Sequence, residues 1–222
     1  MAHDPIRIGV VLSGCGVYDG AEVQEAVLTL LAINKLGAEA VCYAPDIAQN
    51  HVINHLTGQE MPEQRNVLVE SARIARGKIA DLAAFKVAEI DALIFPGGFG
   101  AAKNLSSFAF EGAGCQINPD VAKAVRATAD AGKPIGALCI APVILARLLG
   151  DVELTIGSDP GTGEAIEAMG ARHTISARDE VVVDRKARVV TSPCYMLDST
   201  IAQIAAGAEN TVRTLLELAR VG

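Results

Sequence analysis

The chain has 222 residues, enough for a single domain over residues 1–222 to bury a sizeable hydrophobic core. Half of the residues are hydrophobic and a fifth are charged, a composition typical of globular rather than disordered proteins. The net charge of −7 argues against general nucleic-acid binding and against docking on an anionic membrane.

The N-terminal sequence and the cysteines predict where the protein is found. The sequence begins without a charged and then apolar leader, and no apolar run approaches the length of a membrane span. The five cysteines form no CxxC pair and give an odd count, which argues against a disulfide framework. We expect a reducing, cytoplasmic location, and we expect residues 1–5 to form a loose end.

The first part of the chain predicts a βαβ unit. Ile6–Leu12 is a continuous apolar run, as a strand buried on both faces requires. Ala21–Leu36 has apolar residues at helical spacing, and Gly37 stands where that helix should end. Glu39–Tyr43 is the next predicted strand, and Val67–Ala75 has the pattern of a further helix.

Strands and helices continue to alternate in the middle of the chain. Asp91–Phe95 is a third predicted strand, and a helix is predicted over Asn118–Ala131. Lys133–Leu138 is a fourth strand, and the helix Pro142–Leu149 follows it. This alternation predicts an α/β fold with an open, mostly parallel sheet and helices on both faces. Ligands of such sheets bind beyond the carboxyl ends of the strands.

The last third of the chain adds shorter elements. Leu154–Ile156 has the pattern of a short strand, and Thr162–Met169 that of a helix. Glu180–Val183 and Arg188–Thr191 are predicted to pair as a small antiparallel hairpin. A final helix is predicted over Leu197–Ala219.

A cysteine lies at the turn between the fourth strand and its helix, within ALCIA (137–141). Small residues two positions away on either side are typical of a nucleophile elbow, whose central side chain points into the crevice. The N–H groups and dipole of the following helix favour a thiolate. We therefore expect Cys139 to be a nucleophile with a lowered pKa. The alternative is a buried cysteine that acts as a small hydrophobe.

A glycine pair follows the third strand, in FPGGFG (95–100). Consecutive glycines let the backbone approach a ligand closely and present N–H groups to a developing oxyanion. The amides of Gly98 and Ile140 are the predicted donors of this oxyanion hole, and Gly97 is expected to line the crevice. A flexible turn is the alternative explanation of the glycine pair.

A carboxylate is expected in the same crevice. The loop SGCGVYDG (13–20) leads into a helix that carries Glu22 and Glu25. A carboxylate in the first turns of that helix could pair with the thiol and move protons. Spacing alone does not decide between the two glutamates.

Further side chains fall at predicted carboxyl ends of strands or in the neighbouring loops. Cys15 and Cys194 are candidates for crevice-lining residues, and either could act as a resolving thiol for Cys139 or simply pack in the interior. Candidate polar groups of the crevice are Asp19, Asn104 and Tyr195.

The sequence predicts neither a metal nor a dinucleotide cofactor. His51 and His55 lie four residues apart, but HVINH lacks the glutamate of a metalloprotease helix. The glycines of residues 14–20 do not match GxGxxG, and residues 98–103 lack the ending of a phosphate-binding loop. His173 is expected to be a structural histidine.

Five segments carry a resemblance to a known family: SGCGVYDG (13–20), HLTG (55–58), PGGFGAAKNLSSF (96–108), CIAP (139–142) and LTIG (154–157). Together they resemble the PfpI-like superfamily, which implies a class I glutamine amidotransferase-like fold, a three-layer sandwich with a flavodoxin-like sheet. Within that superfamily the chain is most similar to the ElbB group, described as glyoxalases linked to isoprenoid biosynthesis. The resemblance extends over nearly the whole chain.

This resemblance implies roles for individual residues. It implies a nucleophile at Cys139 and a protonated glutamate at Glu25 rather than Glu22. It also implies oxyanion donors at Gly98 and Ile140. Many relatives have a histidine directly after the cysteine, where this chain has Ile140. The Cys-His-Glu triad of a glutamine amidotransferase or peptidase is therefore not expected.

The implied activity is that of a glutathione-independent glyoxalase, a lyase of the hydro-lyase type without metal or cofactor. It would convert small 2-oxoaldehydes such as glyoxal or methylglyoxal to 2-hydroxy acids through a hemithioacetal on Cys139. One alternative is a redox sensor or stress-response protein in which Cys139 is an oxidation switch. Another is a silent scaffold for a partner in isoprenoid metabolism. The expected ligand is a small aldehyde, and relatives of this fold imply a homodimer.

Overall fold

A computed structural model describes residues 4–221, so the first three residues of the predicted loose end lie outside it. Among the described residues, the main sheet contains β1 (Arg7–Val11), β2 (Glu39–Ala44), β3 (Ile79–Asp81), β4 (Ala92–Phe95), β5 (Ile135–Leu138), β8 (Val182–Asp184) and β9 (Val189–Ser192). A separate small sheet pairs β6 (Glu153–Leu154) with β7 (Arg172–His173). The α-helices are α1 (Val23–Lys35), α2 (Val67–Ile74), α3 (Phe99–Lys103), α4 (Phe108–Glu111), α5 (Pro119–Asp130), α6 (Pro142–Leu149), α7 (Pro160–Ala168) and α8 (Ile201–Arg220).

The main sheet has the strand order β3-β2-β1-β4-β5-β9-β8. All neighbouring strands in it are parallel except β8 and β9, which form the predicted antiparallel hairpin. The chain builds outward from β1 to one edge and then returns to the other side of β1 at β4. Parallel sheets bind ligands at the crevice where the strand order reverses in this way.

Helices cover both faces of the sheet, because successive side chains of each strand point to opposite sides. Ile8 and Ile94 pack in a cluster with α1, α2 and α8. Leu93 and Phe95, from alternate positions of β4, pack in a second cluster with α5 and α6. Since both faces are buried, the strands are continuously apolar. The predicted three-layer α/β sandwich is confirmed.

Three short elements were missed in the sequence, namely β3, α3 and α4. Segments of three to five residues are too short to show a helical or strand period. The final helix begins at Ile201 rather than Leu197. Thr200 forms a capping box with Gln203, and Cys194–Met196 is a separate 3₁₀ turn.

The five cysteines, all of which lie within residues 4–221, have free thiols. None of the helices described here is both long and apolar enough to cross a membrane.

Candidate active site

Cys139 lies at the turn from β5 to α6. Its φ of 59° falls in the left-handed region, which a non-glycine residue adopts only where its surroundings impose it. The flanking Ala137 and Ala141 are fully buried, as the crowded turn requires. The Cys139 N–H donates to the carbonyl oxygen of Ser192 at 3.0 Å and ties the turn to β9. The strand–turn–helix geometry of a nucleophile elbow is therefore present.

Two backbone amides converge on the thiol. The N–H groups of Gly98 and Ile140 lie near the sulfur of Cys139 and act to lower the pKa of its thiol, although burial outweighs them. Donors that meet at the sulfur also lie close to any oxygen on a carbon bonded to that sulfur. Their arrangement suits stabilisation of an oxyanion at that position, the role predicted for them.

The glycine pair after β4 packs directly against the reactive groups. A Cβ atom on Gly97 would lie 2.3 Å from the Cβ of Cys139 and 2.4 Å from Oε2 of Glu25. Gly98 has a φ of 100°, and a Cβ there would lie 2.2 Å from the backbone nitrogen of Glu22. These positions therefore require glycine for close approach, which a merely flexible turn would not.

Glu25 is the carboxyl group that faces the thiol. It is fully buried and lies beside Cys139, because a Cβ atom on Gly97 would be 2.4 Å from Oε2 of Glu25 and 2.9 Å from the Cys139 sulfur. Oε2 of Glu25 accepts the N–H of Gly97 at 3.1 Å, and Oε1 accepts the N–H of Tyr195 at 3.0 Å. Glu22 instead caps α1 by accepting the N–H of Glu25 at 2.6 Å. The structure thus separates the two glutamates that spacing left open.

Burial shifts the ionisation of both reactive groups. It raises the pKa of Glu25 from 4.5 to about 8, although hydrogen bonds from Tyr195, Cys139 and Gly97 favour the carboxylate. Most Glu25 side chains are therefore protonated at neutral pH. Burial and the charge of Glu25 also raise the pKa of the Cys139 thiol well above its usual value. The prediction of a lowered thiol pKa is wrong, because burial outweighs the donors around the sulfur.

Cys139 opens onto a cavity of about 440 Å³, which we call the thiol cavity. The residue retains 8% of its exposure, so its sulfur is buried in the protein but reachable from this space. Two larger cavities within residues 4–221, of about 870 and 740 Å³, do not include Cys139 in their walls, and Glu25 lines none of the three. Most of the thiol cavity wall is apolar, and its larger side chains are Val17, Phe99, Phe108, Ile140 and Met196.

Asp19 and Asn104, predicted to be polar groups of the crevice, hold loops together instead. Nδ2 of Asn104 donates to the carbonyl oxygens of Ser13 and Asp19, both at 2.9 Å. Oδ2 of Asp19 accepts the N–H of Ile53 at 2.6 Å. Among the described residues, neither Asp19 nor Asn104 lines the thiol cavity. Their bonds fix the loop after β1, from which the chain enters α1.

Cys194 and Cys15 occupy different surroundings. Cys194 is fully buried in an apolar cluster with Cys139, and burial raises the pKa of its thiol well above the usual value. Cys15 is half-buried beside the charged pair Glu70 and Arg73. Within the described part of the chain, neither thiol belongs to the wall of the thiol cavity. A resolving role for either cysteine stays a prediction.

Several residues of the cavity wall were missed in the sequence. Asp159 and Thr162 come from the start of α7, Phe108 from α4 and Met196 from the turn before α8. No spacing pattern connects these distant segments, so only the fold brings them together. Tyr195 was a candidate for its polar side chain, but its contact with Glu25 is made by its backbone N–H.

Comparison with known proteins identifies the family. No protein-family model matches the chain. The chain is 50% identical over 222 residues to human glutamine amidotransferase-like class 1 domain-containing protein 3, mitochondrial. The alignment covers 96% of this chain and 83% of the human protein. The chain belongs to the glutamine amidotransferase-like class 1 domain family.

Solved structures agree with this membership. An isoprenoid biosynthesis protein with an amidotransferase-like domain from Ehrlichia chaffeensis has a TM-score of 0.89 at 36% identity, covering 96% of this chain and 99% of that one. A ThiJ/PfpI domain protein from Brachyspira murdochii has a TM-score of 0.59 at 13% identity, covering 97% of this chain and 96% of that one, and shows the fold alone. The predicted glutamine amidotransferase-like class 1 family is confirmed by the human relative, and the ThiJ/PfpI protein shares the fold.

Proposed function

We propose that this protein is a glutathione-independent glyoxalase that converts 2-oxoaldehydes to 2-hydroxy acids without a metal or cofactor. The observation that carries the proposal is the proximity of the buried Glu25 carboxyl group to the Cys139 thiol, which lines an apolar cavity. Two amides pointing at the same sulfur supply a ready oxyanion site.

The first step of the proposed reaction forms a hemithioacetal. The Glu25 carboxylate takes the thiol proton while the Cys139 sulfur bonds to the aldehyde carbon, and the C=O electron pair moves to the oxygen. The amides of Gly98 and Ile140 hold the resulting oxyanion. Glu25 then returns its proton to that oxygen, so the carboxylate is regenerated. Because the carboxylate acts as a base here, a thiol with a raised pKa can still react.

The second step moves a hydrogen between the two carbons. The Glu25 carboxylate removes the proton from the former aldehyde carbon, and an enediolate forms with its charge on the neighbouring oxygen. The hydroxyl proton passes between the two oxygens, and Glu25 protonates the second carbon as the first becomes a thioester carbonyl. Water then adds to the thioester, the C–S bond breaks, and the 2-hydroxy acid and the Cys139 thiol are released.

The proposal is tested by 2-hydroxy acid formation from methylglyoxal by the purified protein. Cys139→Ala should abolish turnover, and Glu25→Gln should lower it by about 10²–10⁴-fold, the usual loss for a general base. Cys15→Ala is the matched control and should retain turnover. For the wild type, kcat/KM should rise with pH and level off above about pH 8, where Glu25 is ionised. Turnover that survives Cys139→Ala would contradict the proposal.

The redox-sensor alternative is less well supported by this site. An oxidation switch requires a thiolate at rest, whereas burial raises the pKa of the Cys139 thiol. Mild peroxide followed by intact mass measurement separates the two functions. A stable sulfinate on Cys139 together with no aldehyde turnover would favour the sensor. Cellular function retained by Cys139→Ala would favour the scaffold.

A cytoplasmic location and a homodimer are further proposals for this chain. The name of the human relative places that protein in the mitochondrion. Cell fractionation tests the location, and light scattering tests whether the mass in solution is 23.0 kDa or twice that value.

A further inference from the structure

The thiol cavity is much larger than glyoxal or methylglyoxal requires. Its volume is about 440 Å³, whereas one water molecule takes up about 30 Å³ of the liquid. Glyoxal and methylglyoxal have at most one methyl group beyond their two carbonyl carbons. Either would occupy the space next to Cys139 and leave most of the cavity to water.

The remaining space is bounded by hydrocarbon. Phe99 and Phe108 face it from α3 and α4, and Met196 and Ile140 face it from the turns after β9 and β5. Phe99 keeps 48% of its surface exposed. Water against such walls is displaced favourably by hydrocarbon, in proportion to the apolar area that becomes buried.

The charges around the cavity disfavour an anionic ligand. Asp159 is the one charged side chain among the described residues that line it. Hydrogen bonds from the hydroxyl and N–H of Thr162 lower the pKa of Asp159, so it is ionised at neutral pH. The Lys103 ammonium group lies outside the wall, 5.1 Å from the centroid of the Phe99 ring, and donates to the carbonyl of Tyr18 at 3.0 Å.

We infer that the substrate is an uncharged 2-oxoaldehyde with an extended alkyl or aromatic substituent. The aldehyde carbon would meet Cys139, and the substituent would lie between Phe99, Phe108 and Met196. A phosphate or carboxylate on the substituent would meet Asp159 and apolar walls, without a cation to pair with it. This inference rests on the proposed glyoxalase function and specifies the substrate class of the same site.

A series of 2-oxoaldehydes tests the inference. We expect kcat/KM to rise by up to about fourfold for each methylene added to methylglyoxal, until the cavity is filled. Phenylglyoxal should exceed methylglyoxal by at least about tenfold, since an aromatic ring buries several times the area of a methyl group. Turnover that is equal or slower for the larger aldehydes would overturn the inference and leave the proposed function standing. No turnover of any aldehyde would overturn both.

Filling the cavity provides a second test. Ala109 lines the thiol cavity but is exposed, so Ala109→Trp can place a large side chain there without disturbing the core. We expect this change to lower kcat/KM for phenylglyoxal at least about tenfold more than for methylglyoxal, because the ring loses its space. Ala202→Trp, at an exposed position in the first turn of α8, is the matched control and should leave the ratio unchanged. An unchanged ratio in Ala109→Trp would contradict the inference.

The exclusion of anions is tested with 4-carboxyphenylglyoxal beside phenylglyoxal. The wild type should prefer the uncharged compound by at least about tenfold, as burial of an unpaired carboxylate predicts. Asp159→Asn keeps an oxygen that can cap α7. This change should lower the ratio of kcat/KM for phenylglyoxal to that for 4-carboxyphenylglyoxal several-fold. Glu164→Gln, exposed on the same helix, should not change it. Equal use of both compounds by the wild type would contradict the exclusion.

Discussion

Two opposing effects act on the Glu25 carboxyl group: burial disfavours its charged form, and hydrogen bonds favour that form. Burial is the larger effect and raises the pKa from 4.5 to about 8. Because the folded-state pKa lies above the unfolded value, the folded protein binds this proton more tightly than the unfolded chain does. The stability that this provides is fully present below about pH 4.5 and is lost as the pH rises to about 8.

Glu25→Gln should remove this pH dependence. Between pH 5 and pH 8 the free energy of unfolding of the wild type should fall, relative to that of Glu25→Gln, by a few kcal/mol, roughly 1.4 kcal/mol per unit of pKa shift. At pH 5 the variant should be less stable, since an amide nitrogen cannot accept one of the N–H groups of Gly97 and Tyr195. Urea unfolding at both pH values measures the effect.

The control for this experiment is Glu22→Gln, which alters the cap of α1 and keeps Glu25. It should retain most of the pH dependence of the wild type. If Glu25→Gln and the wild type lost stability in parallel between the two pH values, the assignment of a protonated Glu25 would be wrong.

Gly97 is a residue at which a single added methyl group should disturb both reactive groups. A Cβ there would overlap both Cys139 and Glu25, so Gly97→Ala should lower turnover at least about hundredfold and destabilise the fold by about 1–3 kcal/mol. Gly114→Ala is the matched control, because nothing lies within 4 Å of its added Cβ. Turnover assays and urea unfolding of both variants measure the effect. Equal turnover and equal stability of Gly97→Ala and Gly114→Ala would contradict the close packing of Gly97 against Cys139 and Glu25.

At the scale of elements, the start of α8 fixes the segment that reaches Glu25. Thr200 and Gln203 form a capping box immediately after the turn that carries Tyr195. Thr200→Ala should lower the free energy of unfolding by about 1 kcal/mol, because the N–H of Gln203 loses its side-chain acceptor. Thr200→Ser keeps the hydroxyl and should stay close to the wild type. Thermal and urea unfolding compare the two, and equal losses would mean that the hydroxyl is not what caps this helix.

The elements that could be predicted from the sequence are those whose pattern is local and repeated. α6 begins and ends where Pro142–Leu149 was predicted, because a proline and a run of apolar residues mark it clearly. α3 was missed because it begins directly after the glycine pair, in a segment that looked like a loop. The spacing of the histidines in HVINH does not predict their contacts: His55 stacks on Tyr18 with ring centroids 4.9 Å apart.

In the candidate site, too, local features could be predicted from the sequence and features that depend on distant segments could not. The elbow at Cys139 could be predicted because its causes lie within residues 137–142. The thiol pKa could not, because it depends on how deeply distant segments bury the sulfur. The wall of the thiol cavity could not be predicted either, since its residues come from six separate helices, turns and loops.

At the scale of the whole molecule, the sheet topology assembles the site. Glu25 lies on the helix after β1, the glycine pair follows β4, and Cys139 follows β5. These three strands are neighbours in the sheet, and their carboxyl ends meet where the strand order reverses. Three segments that are far apart in sequence are therefore held within hydrogen-bonding distance by a rigid scaffold.

The central claim is that the Cys139 sulfur forms a covalent bond to an aldehyde carbon. The most direct measurement is carbon-13 NMR of the protein mixed with a 2-oxoaldehyde labelled at its aldehyde carbon. We expect a hemithioacetal carbon signal in the wild type and in Cys15→Ala, and its loss in Cys139→Ala. A signal that persists without Cys139, or no protein-bound signal in the wild type, would contradict this claim.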